Sequence, residues 1–514
     1  MLFNSLAFIF LFLPLTFALF FVFARVSHKL AAGWLAAASL FFYGWWNPVY
    51  VGLLMASIVF NYMMGMRIAR AELSAANKKC FTVFAIAANL LLLGYYKYSN
   101  FFISNAASLL GQNLSVAEIV LPLGISFFTF TQIAFLVDTW QGKVKEYSFV
   151  HYCLFVTYFP HLIAGPILHH AEMMPQFANA DTYRMRAENI AVGLTIFFIG
   201  LFKKVMLADG IAPYVAPLYG LPGAGVAPTL LEAWCGVVAY SLQLYFDFSG
   251  YSDMAIGLSR MFGVKLPLNF HSPYKAVNIA ELWNRWHMTL SRFLRDYVFI
   301  PLGGRRKSAW RRYSSVIATM FLCGLWHGAG WTYIVFGLLH GVYLAINQAW
   351  RSWRGKARKR TTLMGTVAAI ALTYVAWLVG LVFFRADSVP HALQMLAGMA
   401  GLNGFALPDH WLPKWGALGT WLNTQGLSFA YSRDLVSAGL INWIVILLAI
   451  VWFAPNTQQI MARFNPALLL PRDLTPARRL QWRPTVAFGV FIAVIGLISV
   501  VNLHRQSEFL YFQF

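Results

Sequence analysis

The sequence predicts an all-α, polytopic integral membrane protein. Of its 514 residues, 59% are hydrophobic and only 11% are charged, whereas soluble domains average about 25% charged residues. Apolar runs long enough to cross roughly 30 Å of hydrocarbon recur along the whole chain. Because no polar domain separates them, we expect a single membrane domain over 1–514, with about 11–13 membrane helices and some short interfacial or re-entrant helices.

The apolar runs place the predicted membrane helices in order. The first is expected to be a retained helix, because it lacks the charged start and the small-residue cleavage site of a signal peptide. We divide the domain into N-terminal helices over 1–148, a core block over 149–350 and C-terminal helices over 351–514. The runs lie near 2–24, 30–46, 48–66, 80–96, 119–138, 149–166, 189–208, 228–246, 362–384, 441–454 and 485–503.

Basic residues outnumber acidic ones by 39 to 18. They lie in short loops and not on a polar surface domain, so nucleic-acid binding is not predicted. The positive-inside rule makes these loops cytoplasmic and puts the segment 401–440 and the C-terminus on the outer side. Four scattered cysteines indicate neither a disulfide framework nor a metal site. The basic loops are Arg67–Lys79, Arg305–Arg312, Arg351–Arg360 and Arg472–Arg483.

Two pairs of charged residues lie in apolar surroundings. Lys203 and Lys204 are expected to mark a cytoplasmic helix end or, at a cavity mouth, to meet the phosphates of a coenzyme. Asp247 and Asp253 have a spacing of six, which does not put them on one helical face. We expect them to cap a helix and to pair with Lys203, Lys204 or Arg260, and a paired-carboxylate catalytic site is only a weak inference.

Glycines, prolines and polar residues interrupt the apolar runs of the core block. At membrane depth, such breaks need neighbouring protein or a water-filled cavity to satisfy the freed backbone groups, so we predict a cavity there. The 38 residues between Arg312 and Arg351 carry no full charge, and as one helix they would extend for about 57 Å. Two short or broken helices, with Gly324, Gly328 and Gly330 allowing close approach or a bend, fit better.

Two histidines, His327 and His340, lie inside this uncharged stretch. A histidine on an apolar stripe is more often a core imidazole satisfied by a carbonyl, and we expect that role for His340 and His161. Ionisable groups within membrane spans are costly, however, and usually line a functional cavity. Because glycines and tryptophans flank His327, we predict that it lines the cavity.

The stretch 278–297 is predicted to form one amphipathic, interfacial helix. Asn278 caps its start, with Glu281 three residues later, in the pattern of a capping box. The pairs Glu281–Arg285 and Arg292–Asp296 have the i,i+4 spacing of ion pairs. Its apolar face carries Trp283, Trp286, His287, Leu290, Phe293, Leu294 and Tyr297.

Several motifs of the chain, taken together, are more specific than any one of them. The segment ELWNRWHMTLSRFLRDYVFIPLGG, followed by GLWHGAGWTYIVFGLLHG and preceded by LPLGISFFTF, FPHLIAGPI and LQLYFDFSGYSDMAIG, resembles the membrane-bound O-acyltransferase (MBOAT) family. The likeness is to its bacterial alginate O-acetyltransferase branch. It implies a multi-helix fold around a central funnel or tunnel, with His327 catalytic and His287 as the second family histidine. His161 stands where the family often has Gln, so we do not expect it to be catalytic.

The resemblance also implies the reactants. Acetyl-coenzyme A is the expected acyl donor, with no bound cofactor and no metal. Membrane lipid and a periplasmic acetyltransferase are the expected partners, and the polysaccharide acceptor is expected to be reached indirectly. Candidate residues for shaping the cavity or binding substrate are Trp283, Asn284, Trp286, Trp326, Trp331, Asp247 and Ser249.

Acyl transfer from a thioester to a hydroxyl needs a base, hydrogen-bond donors for the developing oxyanion and exclusion of water. A neutral imidazole in a low-dielectric cavity keeps a basic nitrogen. His327 is therefore expected to activate the acceptor hydroxyl or to carry the acyl group transiently as a nucleophile. The sequence leaves both alternatives open.

The end of the chain, 509–514, is similar to the Phe-x-Tyr-Phe-x-Phe acyl motif of the small partner protein in D-alanylation systems. By that resemblance, Tyr511 is a candidate acyl acceptor. The alternative is an aromatic anchor at the membrane interface.

We therefore expect an O-acetyltransferase of the bacterial inner membrane that serves an exopolysaccharide, with alginate the first candidate. Cellulose, peptidoglycan and D-alanyl transfer are alternatives within the family, and a membrane transporter is the alternative from another class.

Overall fold

The protein is described by a computed structural model over residues 1–111, 119–144, 146–305, 308–355, 362–425, 427–430, 435–477, 479–504 and 510. It is mainly helical. Within the described ranges, the strands are β1 (Ala406–Pro408) and β2 (Ser428–Ala430), which pair in parallel. The all-α membrane fold predicted from the sequence is confirmed.

The helices, in chain order, are α1 (Leu13–Ala24), α2 (His28–Gly44), α3 (Val49–Ala69), α4 (Ala75–Leu110), α5 (Ile125–Trp140), α6 (Phe149–Thr157), α7 (Phe159–Leu162), α8 (His170–Ala178), α9 (Ala187–Phe202), α10 (Asp209–Gly220), α11 (Leu230–Met261), α12 (Ile279–Arg285), α13 (Met288–Leu294), α14 (Ala309–His327), α15 (Trp331–Arg354), α16 (Leu363–Arg385), α17 (Val389–Met399), α18 (Trp411–Thr424), α19 (Ala438–Phe453), α20 (Thr457–Ile460) and α21 (Val486–Val501). Short π-helical segments lie at Phe8–Phe12, Lys203–Ala208 and Arg295–Phe299.

Five helical segments in the described residues have the length and composition to cross a membrane. Three shorter apolar helices accompany them, at Phe8–Ala24, Ile125–Trp140 and Ala438–Phe453. Of the predicted spans of the core block, 189–208 lies within one of the five long segments, and 149–166 and 228–246 are also largely helical, in α6 with α7 and in α11. The five long segments are Val49–Ala69, Ala75–Leu110, Ala187–Ala224, Leu363–Arg385 and Val486–His504.

Helix α11 is the centre of the bundle, and all its residues from Ala239 to Met261 are buried. It packs closely against α9 because glycines face each other across the contact. A Cβ added at Gly200 would lie 2.6 Å from the carbonyl oxygen of Gly250. Small residues at such contacts let membrane helices approach each other closely.

The uncharged stretch before Arg351 forms two helices, as predicted, and they pack as a hairpin; they are not short, with 19 and 24 residues. Helix α14 ends at His327, residues 328–330 form the turn, and α15 begins at Trp331. The two helices touch through glycines, because a Cβ at Gly324 would collide with the carbonyl oxygen of Tyr333.

The prediction of one helix over 278–297 was wrong. The chain breaks between α12 and α13 at His287, which has a left-handed φ of 42°. The preceding loop holds the break open: the N–H of His271 donates to the carbonyl of Arg285 (2.9 Å), and the N–H of Met288 donates to the carbonyl of Asn269 (3.0 Å). These tertiary hydrogen bonds replace helical ones at the break.

The ion pairs of this region are partly as predicted. Arg285 binds Glu281 at 2.9 Å, and the Asn278 side chain accepts from the N–H of Glu281. The pair Arg292–Asp296 does not form, because Arg292 makes a bidentate contact with Glu172. Asp296 instead pairs with the neighbouring Arg295, where the π-helical segment has changed the register.

The expectation that Lys203 and Lys204 mark a helix end was wrong. They lie in the π-helical segment that continues α9 into α10. Their predicted ion pairs do form, with Lys203 Nζ 2.6 Å from Asp253 and Lys204 Nζ 2.6 Å from Asp247. The aspartates cap no helix, because both lie in the middle of α11.

Candidate active site

His327 is the last residue of α14 and lies beside the turn that leads into α15. It is 5% exposed. Its imidazole contacts the rings of Trp326 and Phe384, at centroid distances of 4.9 and 5.1 Å, and that of Phe336 at 5.9 Å. The ring is thus enclosed by aromatic side chains from three helices, which limits the access of water to it.

His287, at the break between α12 and α13, is 1% exposed. Its ring lies 4.9 Å from that of Phe248 on α11 and 6.0 Å from that of Trp326 on α14. Trp326 therefore contacts both imidazoles. The two histidines that the family resemblance singled out are brought together around one tryptophan.

His340 lies on α15 and is fully buried. Its Nδ1 is 3.4 Å from the indole Nε1–H of Trp283, so it accepts from a side chain and not from a carbonyl. Its ring is also 4.6 Å from that of Phe336, which contacts His327 as well. His340 therefore extends the aromatic enclosure away from His327.

The carbonyl end of α14 is held by α4, a feature that sequence reasoning missed. Lys97 Nζ donates to the carbonyls of Trp326 and His327, and the Tyr98 hydroxyl donates to the carbonyl of Leu325 at 2.7 Å. In the sequence, the only indication of this contact was a lysine within a long apolar run. Its partners lie more than two hundred residues away in sequence, so this indication did not identify them.

One cavity, of about 430 Å³, lies near the end of the bundle at which α14 begins and α15 ends. We call this the basic end, because Arg305, Arg311 and Arg312 precede or begin α14. The lining of the cavity includes Trp283, Asn284, Arg292, Arg295, Met320 and Gln348. Two of the predicted cavity residues, Trp283 and Asn284, are thus placed in a cavity.

A second cavity, of about 680 Å³, lies beside the turn at the other end of α14 and α15. We call this the turn end. Trp331 is part of the lining, is 58% exposed and donates its indole N–H to Asn105 at 2.9 Å. The polar and aromatic lining includes Ser104, Asn105, Trp331, Tyr333, Arg385 and Asp387.

His327 lies between these two cavities along the hairpin, but its side chain lines neither of them. Trp286, Trp326, Asp247 and Ser249 are also buried away from both linings. These two cavities therefore do not confirm the prediction that His327 lines a cavity directly.

Asp247 belongs to a buried ionic cluster beside the end of the chain. Lys204 Nζ lies 2.9 Å from Asp209 and 2.6 Å from Asp247. The backbone N–H of Leu510 donates to the second carboxylate oxygen of Asp247 at 3.3 Å. Leu510 is buried, while the rest of the terminal motif, including the predicted acceptor Tyr511, lies outside the described residues.

Among the residues that the structure describes, no group of three or more His, Cys, Asp or Glu side chains is arranged to hold a metal ion.

Comparison with known proteins assigns the chain to a family. Residues 78–385 match the model of MBOAT, the membrane-bound O-acyltransferase family. A peptidoglycan O-acetyltransferase of Helicobacter pylori is 38% identical, over 100% of this chain and 98% of its own length. A protein of Azotobacter vinelandii named "Probable alginate O-acetylase AlgI" is 36% identical over 100% of both chains. A teichoic acid D-alanyltransferase of Bacillus subtilis is 31% identical over 49% of this chain and 65% of its own.

The family match covers the site described above, from α4 through the hairpin to the end of α16. The relatives named here are named for acyl transfer, which favours the enzyme over the transporter alternative. The chain belongs to the membrane-bound O-acyltransferase family and is an acyltransferase.

Proposed function

We propose that this enzyme takes acetyl from acetyl-coenzyme A in the cytoplasm and delivers it across the inner membrane for O-acetylation of a cell-envelope polysaccharide. Two relatives that match the whole chain are named for acetyl transfer to peptidoglycan and to alginate. Their sequence identities to this chain, 38% and 36%, are too similar to favour one polymer over the other.

The observation that carries the proposal is the arrangement of the two histidines around Trp326, between a cavity at the basic end and a cavity at the turn end. By the positive-inside rule, the basic end faces the cytoplasm. A reaction centre between the two cavities receives the donor from one side of the membrane and the acceptor from the other.

The chemistry assigned to His327 is proton transfer. Its imidazole takes the proton of the acceptor hydroxyl as the oxygen attacks the thioester carbonyl; the C–O bond forms, the C–S bond breaks, and the thiolate of coenzyme A receives the proton. If His327 acts first as the nucleophile, a C–N bond to its imidazole forms as the C–S bond breaks; the acceptor hydroxyl then attacks this acyl-imidazole, the C–O bond forms, the C–N bond breaks, and the hydroxyl proton balances the released thiolate. The aromatic enclosure excludes water, which would otherwise hydrolyse the thioester.

The cavity at the basic end suits the donor. Arg295 is more than half exposed at its rim, and guanidinium groups bind phosphate through paired, charge-assisted hydrogen bonds. Trp283 and Met320 line the apolar part, where the pantetheine arm would lie on its way to His327. Met320 precedes His327 by about two helical turns, or roughly 10 Å along α14.

We further propose that Tyr511 accepts the acetyl group and passes it to a periplasmic acetyltransferase partner. The support is the contact between Leu510 and Asp247. The next residue of α11, Phe248, contacts the ring of His287. Leu510, the residue before Tyr511 in the sequence, thus contacts α11 one position before the residue that meets His287.

The test is acetyl transfer by the purified protein from radiolabelled acetyl-coenzyme A. We expect His327→Ala to lose about 10²–10⁴-fold in rate, which is the usual contribution of a general base. His161→Gln is the matched control, because His161 is also a buried histidine but is not expected to be catalytic. Full activity of a folded His327→Ala variant would overturn the proposal.

The polymer is identified in cells that lack the gene. We expect alkali-labile acetate to disappear from either the peptidoglycan or the exopolysaccharide, and to return with the wild-type gene but not with His327→Ala. Unchanged acetate on both polymers would contradict this part of the proposal.

A further inference from the structure

Lys97 is a buried lysine in the middle of the long apolar helix α4, and it is 8% exposed. Its Nζ faces three oxygen atoms: the carbonyls of Trp326 and His327, the second at 3.4 Å, and the hydroxyl of Ser126 at 3.3 Å. Three acceptors match the three N–H donors of an ammonium group.

The surroundings of Lys97 differ from those of Lys203 and Lys204, the lysines in the π-helical segment after α9. Lys203 and Lys204 each pair with an aspartate. Among the described residues, no carboxylate forms an ion pair with Lys97, and its contacts are to oxygens at the end of α14 and to Ser126. An ionisable group in a membrane span without a counter-charge is costly and is usually kept for function.

The end of a helix explains how the charge is accommodated. The last four carbonyls of a helix have no partner within it, and together they carry the negative end of the helix dipole. Lys97 and Tyr98 donate hydrogen bonds to the carbonyls of three consecutive residues there, Leu325 to His327. Lys97 also lies over the Trp326 ring, with Nζ 5.9 Å from its centroid.

We propose that Lys97 is a positioning residue for acyl transfer: it fixes the Trp326–His327 peptide and thereby the geometry of both imidazoles. Because the Trp326 ring contacts His327 and His287, a rotation of this peptide displaces the rings relative to each other. All the N–H donors of Lys97 are used by the protein, so it has none left to bind substrate. The inference rests on the proposed role of His327.

The test compares kinetic constants for acetyl-coenzyme A. Lys97→Met keeps an unbranched side chain, one atom shorter, but removes its charge and donors. We expect kcat to fall about a hundredfold, because a misplacement of about 1 Å in an active site costs that much. KM should stay within about twofold, since the donor cavity lies toward the other end of α14.

Tyr98→Phe is the matched control. It removes the neighbouring hydrogen bond to the same helix end without touching the Trp326–His327 peptide. If the two residues only stabilise α14, both variants lower the melting temperature and kcat together. The proposal requires a much larger fall of kcat in Lys97→Met, with Lys97→Arg, which keeps charge and donors, recovering part of the loss.

If Lys97→Met does not fold, Ser126→Ala tests the same inference. This variant removes one of the three acceptors and leaves the charge. We expect kcat to fall about threefold at unchanged KM. An unchanged kcat in a folded Ser126→Ala or Lys97→Met variant would overturn the inference, while activity in His327→Ala would overturn the proposed function itself.

Discussion

At the scale of single residues, the position of His287 is unusual because its backbone is in the left-handed region, with φ at 42°. Most residues other than glycine adopt this region at a cost of roughly 1–2 kcal/mol, although asparagine, aspartate and histidine are found there more often than others. Such strain persists only where the surrounding structure imposes it, and it concentrates at functional sites. The break directs the imidazole of His287 toward Phe248 and Trp326, the partners that place it near His327.

We predict that His287→Asn keeps the fold but loses activity. Asparagine tolerates the left-handed backbone but has no imidazole, so we expect a rate loss of at least about tenfold with little change in melting temperature. The measurement combines acetyl transfer with thermal unfolding in detergent.

His287→Val is the contrasting variant. A β-branched residue is strained at this φ, so we expect an additional loss of about 1–2 kcal/mol in stability. Equal stability of the two variants would contradict the assignment of strain to this position.

A second feature at the scale of single residues is the ion pair between Lys203 and Asp253. Asp253 accepts from Lys203, from Thr457 at 2.6 Å and from Gln458 at 3.1 Å, and so joins α11 to the π-helical segment and to α20. Removing one partner of a buried pair leaves an uncompensated charge.

We predict that Asp253→Ala lowers the free energy of unfolding by about 3–5 kcal/mol. The double change Asp253→Ala with Lys203→Met should recover part of this loss, because no buried charge is left alone. A double-mutant cycle by thermal unfolding measures the coupling, and additive effects would contradict a direct pair.

At the scale of elements, the hairpin of α14 and α15 sets the depth of the site. Gly324 and Gly337 allow the two backbones to touch, and the turn at 328–330 places His327 at the end of its helix. A helix end offers unpaired carbonyls, which is why α4 can hold this part of the chain through Lys97 and Tyr98.

We predict that Gly324→Ala destabilises the protein by about 1–3 kcal/mol, the usual cost of overpacking, and reduces activity. The added methyl group would collide with the carbonyl of Tyr333. Gly330→Ala is the control in the same hairpin, because its nearest neighbour would be 3.4 Å away, and it should change stability by no more than about 0.5 kcal/mol. Thermal unfolding of both variants decides the matter.

The hairpin also shows what a sequence can reveal. An uncharged run too long for one span, with glycines in its middle, was enough to predict two helices. The break at His287 was not predictable, because the 3.6-residue periodicity continues across it and the bonds that open it come from residues 269 and 271. Lys97 was missed for the same reason: its partners are distant in sequence and only the fold brings them near.

At the scale of the whole molecule, the two cavities lie toward opposite ends of one hairpin, with the histidines between them. Leu510 lies against the central helix α11, where its backbone N–H donates to Asp247. The order of the helices therefore brings both ends of the proposed route to one reaction centre.

We predict that Tyr511→Phe abolishes polysaccharide acetylation in cells but leaves the protein folded. Phenylalanine keeps the aromatic ring and removes only the hydroxyl, so a membrane anchor would be unaffected. In the wild-type enzyme incubated with acetyl-coenzyme A, mass spectrometry of the C-terminal peptide should show one added acetyl group that is absent from Tyr511→Phe. Normal polymer acetylation by the variant would favour the anchor.

The aromatic rings packed around His327 have a further consequence for the cell. An acetyl group, with two carbon atoms, is small enough to pass between these rings. The coenzyme A that carries it is far too large and too charged to follow. On the proposed route, the cell would thus export acetyl groups while retaining its coenzyme A, and the ion gradients across the membrane would survive each turnover.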